Sequence, residues 1–136
     1  MNAQREHRTR ARKNARLLKK EHEFLQEKEE VLRSILSRKA RPSKNDLMAI
    51  TAWSDMKEAL TMLEVYELKK NTIFETNPLR HQAGLPLADY NKVLNQQFEA
   101  FKTYLLYRTH LLGFFPKDRQ EYDPDHPEMI EFMFSS

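Results

Sequence analysis

The sequence predicts an all-α fold of three principal helices, and three observations predict it. First, the stretch from Arg5 to Lys39 contains neither glycine nor proline, and its second half carries apolar residues at heptad spacing. Second, two further stretches, 44–71 and 87–112, repeat the helical period between proline-marked breaks. Third, only 2 of the 136 residues are glycine, while 40 % are hydrophobic and 32 % charged, a composition of helical globular proteins and not of disordered chains. The length suits one domain with a core of its own.

The first helix changes character halfway. In residues 1–20, Arg5, Arg8, Arg10, Arg12, Lys13, Arg16, Lys19 and Lys20 face the single acid Glu6, a local +7 in a chain whose net charge is +3. This arm has almost no apolar surface before Leu17, so by itself it is expected to be disordered or a fraying helix. From Leu17 a double stripe begins: Leu17, Phe24 and Val31, then Leu18, Leu25 and Leu32, closed by Ile35 and Leu36. Adjacent stripes make a face broader than a two-position seam, which favours packing in a bundle over a free two-stranded coiled coil. At about 1.5 Å per residue a continuous helix is about 50 Å long, so the arm is expected to project beyond the body.

Arg41-Pro42-Ser43 ends the first helix, and Ser43 with Asp46 reads as a capping-box variant opening the second. On the second, Ala52, Met56, Ala59, Leu60, Leu63 and Tyr66 share one face, while Leu47, Ile50, Val65 and Leu68 lie toward the other, which places this helix in the middle of the packing. Trp53, the only tryptophan, reads as a core or interface anchor. Asn77-Pro78 and Gly84-Leu85-Pro86 mark Thr76 to Pro86 as a loop. The third helix should bury Tyr90, Leu94, Phe98, Phe101, Leu105 and Leu112, with Gly113 as its C′ residue and Pro116 preventing its resumption. From Tyr104 onward it is apolar or aromatic nearly all round, which marks that end as covered or as an interface.

The organisation expected is therefore a basic arm at 1–20, a helical domain at 21–116 and an acidic, hydrophobic tail at 117–136. In the tail, Met129, Phe132 and Met133 share one side of a short helix, too short to stand alone and expected to dock.

Chemistry has little to work with. There is no cysteine, which removes disulfides, thiolate catalysis and Cys-based metal sites. His7, His22, His81, His110 and His126 form no His-Glu-x-x-His motif, no i, i+4 pair and no Glu-x-x-His pair. No glycine-rich phosphate loop or nucleophile elbow exists. The expectation is a non-enzyme with no cofactor and no metal. Leu106-Tyr107-Arg108 spells the LYR signature of small, basic, three-helix mitochondrial assembly factors. In that family it opens the first helix, whereas here it lies late in the third, and nothing is carried over from it.

The arm is the positive signal, because arginine-rich segments neutralise phosphates and release condensed counterions. With no aromatic residue in the arm, its contacts are expected to be to RNA or DNA backbone. The function expected is an accessory subunit of a nucleoprotein assembly, its arm on nucleic acid. Its body would meet protein through Tyr104, Tyr107, Phe114 and Phe115 of the third helix and Met129, Phe132 and Met133 of the tail. The alternative is a helical protein–protein adaptor or assembly factor without nucleic-acid contact, in which the first helix pairs with a partner helix through Leu18, Leu25 and Leu32. No apolar run is long enough to span a membrane. The absence of cysteine fits a reducing intracellular compartment, leaving mitochondrial and nuclear locations, and homo-oligomerisation through the first helix, open.

Overall fold

The computed structural model describes residues 2–38 and 40–115, and among these the structure is three α-helices and their connections: α1 Asn2–Arg38, α2 Lys44–Gln82 and α3 Tyr90–Leu112. The expected tail residues Met129, Phe132 and Met133 lie outside the described residues. The helices run up, down and up. The contacts Leu25–Trp53, Asn14–Glu67 and His7–Phe74 set α1 antiparallel to α2, and Glu21 meets Tyr104 and Arg108 on the parallel α3. α2 packs against both other helices.

Local chemistry sets the ends. Ser43 caps α2 with the reciprocal bonds of a capping box: the Asp46 N–H donates to Ser43 Oγ at 3.1 Å, and the Ser43 N–H donates to Asp46 Oδ2 at 2.9 Å. Asp89 caps α3 through the Lys92 N–H at 3.0 Å. Gly84 adopts φ 71, the left-handed geometry that closes α2, and the Leu85 N–H then returns to the Arg80 carbonyl at 2.9 Å. Gly113 stays right-handed at φ −60, so α3 ends in a tightening turn through Phe115 in place of the left-handed cap expected there.

The segment expected as a loop from Thr76 is instead the last turns of α2, with Pro78 inside the helix. A proline removes one N–H and crowds the preceding turn, at a penalty of about 3 kcal/mol in a helix interior. Here Asn77 clamps the turn from outside: its side-chain oxygen accepts from the Ala88 N–H at 3.0 Å, and its amide donates to the Ala88 carbonyl at 3.1 Å. That pair of hydrogen bonds ties the helix to the chain entering α3.

The core comprises Leu17, Phe24 and Leu25 of α1, Met56, Leu60 and Leu63 of α2, and Phe101, Tyr104, Leu111 and Leu112 of α3. Each large side chain so buried contributes roughly 1.5–3 kcal/mol. Trp53 is half-buried against this cluster and donates its indole N–H to the Leu25 carbonyl at 2.7 Å. Two expectations are corrected. α2 touches both partners with one broad face, and Leu47 and Leu68 of the supposed second face are exposed at 52 % and 68 %. On α3 the buried line is Val93, Gln97, Phe101, Tyr104, Arg108 and Leu111, while Phe98 is exposed. The helix is rotated from its most apolar setting because two polar side chains, Gln97 and Arg108, find partners inside.

Those partners make two polar layers. In one, Arg108 donates from Nε to Glu21 Oε1 at 2.6 Å, and the Tyr104 hydroxyl donates to the same oxygen; Glu21 and Arg108 side chains are each 3 % exposed. In the other, Glu67 accepts from Asn14 Nδ2 at 2.9 Å and from Gln97 Nε2 at 3.4 Å, and pairs with Lys70 Nζ at 2.7 Å. The layers join all three helices. Buried polar groups of this kind stabilise only when partnered, and they penalise every packing that separates them.

Candidate nucleic-acid interface

α1 is continuous through the boundary expected at residue 20. Its basic half is also held against the body. The His7 ring stacks on Phe74 with centroids 4.1 Å apart and planes at 14°, and Asn14 reaches Glu67 seven residues later. The longer α2 makes this so: its turns beyond residue 71, read from sequence as the approach to a loop, supply the surface on which the arm lies. An arm expected to project beyond the body is therefore backed by α2 over its length.

Helical geometry sorts the eight cations. At about 3.6 residues per turn, the core-facing side of α1 is the line through Asn14, Leu17, Glu21, Phe24, Leu25 and Lys28. Arg5, Arg8, Arg12, Arg16 and Lys19 follow one another at steps of three and four, with Lys20 beside them, on the opposite side; all six are exposed. Arg5, Arg8 and Arg12 close around Thr9 in a shallow recess. From Arg5 to Lys20 the row is about 23 Å long at about 1.5 Å per residue. Glu23, Glu27 and Glu30 occupy the continuation of the same side, so the positive row stops within one turn of Lys20. Lys13 is half-buried at its edge.

Arg10 stands apart. It lines a recess with Glu6, Lys70 and Tyr90, on the side of α1 turned toward the other two helices. There burial, and then the charge of Glu67, raises the Tyr90 pKa above its usual 10.0, while Arg10 pulls it down.

The partner residues expected from sequence divide likewise. Leu18, Leu25 and Leu32 are 8 %, 2 % and 6 % exposed and Tyr104 is fully buried, so the chain's own core takes the surface they were expected to offer. The reason is the second polar-and-apolar half of the bundle, α2 and α3, packed where a partner helix would otherwise sit. Tyr107, Phe114 and Phe115 are half-buried against the same core. Phe115 also lies under the ammonium of Lys28, 5.0 Å from its ring centroid.

The Tyr104 hydroxyl gives the interior a pH signature. Burial first, then the charge and hydrogen bond of Glu21, hold its pKa well above the usual 10.0, against an opposing pull from Arg108. An unfolded tyrosine loses its proton near 10.0 while the folded one retains it, so the unfolded state binds fewer protons above that pH. The stabilisation is complete below pH 10.0 and is lost as pH rises through the folded value. Thermal melts at successive pH values above 10 should fall more steeply for the wild type than for Tyr104→Phe; parallel declines would show that this hydroxyl is not the titrating group.

Among the described residues, no group of three or more His, Cys, Asp or Glu side chains converges to hold a metal ion, and no helix is long and apolar enough to cross a membrane. No protein-family profile, curated protein or solved structure matches the chain.

Proposed function

We propose that this protein is a non-enzymatic accessory subunit of a nucleoprotein assembly, in which the row Arg5, Arg8, Arg12, Arg16, Lys19 and Lys20 contacts the backbone of RNA or DNA and the helical body contacts protein. The observation that supports this most is the position of the row: six exposed cations on the side of a helix whose opposite side is fastened to the core. A fastened helix presents its charges without an ordering penalty at binding, unlike an arm that folds on contact. Arginine suits the role, since its guanidinium fork matches phosphate oxygens in pairs.

A second reading, the protein–protein adaptor, draws on the groove between α2 and α3 on the side away from α1. It measures about 900 Å³, has Met62, Tyr66 and Tyr107 in its walls, and is rimmed by Asp55, Glu58 and Glu99. An acidic rim over an apolar floor suits a basic amphipathic helix of another protein.

Salt distinguishes the two. If six cations each neutralise one phosphate, the logarithm of the binding constant should fall with the logarithm of salt at a slope of about −4 on a single strand and about −5 on a duplex. Fluorescence anisotropy of labelled single-stranded RNA and duplex DNA across a salt series measures it. Absence of binding to either at low salt would remove the nucleoprotein reading and leave the adaptor.

A further inference from the structure

At the amino-terminal end of the basic row the surface opens into a cavity of about 900 Å³, built where the first turns of α1, the last turns of α2 and the start of α3 meet. The volume is within the range of ligand pockets. Its wall is aromatic. Phe74 stacks on His7, and the Tyr90 ring stands tilted at 57° to Phe74 with centroids 6.5 Å apart. Leu79 and Leu87 edge the opening, 64 % and 57 % exposed. Gln4, His81 and Gln82 place amide and imidazole groups around the same space. His7 Nε2 is buried with no hydrogen-bond partner, and Glu75, which also lines the cavity, places Oε1 3.5 Å from it. Arg8 lines both this cavity and the recess it forms with Arg5 and Arg12 at the head of the row.

We propose that this cavity receives an unpaired nucleobase of a single strand whose phosphates lie along the basic row, which makes single-stranded nucleic acid the preferred ligand. The inference rests on the nucleoprotein reading above and goes beyond it, because phosphate contact alone does not separate single strands from duplexes. The fit is chemical at each point. Aromatic rings offer a sequence-tolerant stacking surface, glutamine amides and imidazoles bond to base edges, and the guanidinium at the mouth holds the adjoining phosphate. The arm supplies no aromatic residue except through His7; α2 and α3 bring Phe74 and Tyr90 to it. Bases already stacked in a duplex cannot enter without being unpaired, so a duplex gains only the row.

The test uses the full chain and three labelled probes at one salt concentration: a short single-stranded oligouridylate, the same length of strand with abasic sites in place of bases, and a duplex. Anisotropy should show the base-bearing strand bound about tenfold or more tighter than its abasic counterpart. In Phe74→Leu and Tyr90→Leu, which keep most of the apolar volume but remove the ring, the ratio of base-bearing to abasic binding should shrink. The ratio is the readout because Phe74 also stacks on His7, so loss of that packing affects both strands alike. Equal binding of the two strands with a steep salt slope would overturn the cavity and leave the row standing. A base preference untouched by both substitutions would also overturn it, since the bases would then be held elsewhere. Failure of all three probes to bind would overturn the cavity and the row together.

Discussion

Glu21→Ala is expected to remove about 3–5 kcal/mol of stability, the usual loss when one member of a buried ion pair is deleted. Glu21 and Arg108 are each 3 % exposed, and the carboxylate also receives the Tyr104 hydroxyl, so alanine takes one charge and two hydrogen bonds from a buried layer. The buried guanidinium then loses the carboxylate that offsets its desolvation. For a chain of this size the shift in melting temperature should be about 10–20 °C, read by circular dichroism with a urea titration to check that the transition stays cooperative. Glu21→Leu combined with Arg108→Met and Tyr104→Phe should recover most of the loss, because the layer then holds neither an unmet charge nor a buried hydroxyl without its acceptor. A single-site loss below about 1 kcal/mol is the value of an exposed pair and would exclude the buried geometry.

Replacing Arg5, Arg8, Arg12 and Arg16 together by glutamine is expected to weaken single-strand binding at low salt by about two to three orders of magnitude, and to flatten the salt slope by about 3. All four are exposed on the side away from the core, so helicity and melting temperature should be unchanged. That makes the substitution a cleaner test than deleting the first twenty residues, which would also remove Asn14, Leu17 and Leu18 from the interior. Arg10→Gln should cost far less than any member of the row, since it faces Tyr90 and Glu6. Equal losses at Arg10 and Arg12 would mean that charge alone, and not its placement on the helix, governs binding.

Much of this fold is written in local chemistry. The uninterrupted first helix and the Ser43–Asp46 cap follow from residue types and period, because each depends on neighbours within a few positions; the central place of α2 was expected from two apolar faces, but α2 meets both partners with one. So does the concentration of positive charge before Glu21. The end of α2 was not legible: Asn77-Pro78 is a breaker in any local reading, and only the bonds from Asn77 to Ala88, eleven positions on, let the helix pass through it. Gln97, Glu67 and Lys70 were equally hidden, as was the partner of Arg108, whose place on the aromatic end of the third helix already reads as a partly buried, hydrogen-bonded side chain. A charged residue in a helix reads as solvent-facing unless its surroundings are known; Lys70 pairs with Glu67 on its own helix, but the bonds that bury the clusters cross between helices, spanning 30 residues from Gln97 to Glu67 and 87 from Arg108 to Glu21.

The sequence by itself determined that the chain is helical and that its cations are gathered at one end, since propensity and composition are local sums. Tertiary structure decided which side of α3 is inside and what covers the apolar faces of α1 and α2. It turned Phe98 outward and Arg108 inward, took Leu18, Leu25 and Leu32 into the chain's own core, and separated Arg10 from the exposed row. It also carried Phe74 and Tyr90 to the head of an arm that has no large aromatic ring of its own. The physical reason is the same throughout. Burial of a polar group depends on a partner supplied from far along the chain, and the rotation that satisfies one such pair fixes what every other residue on that helix faces.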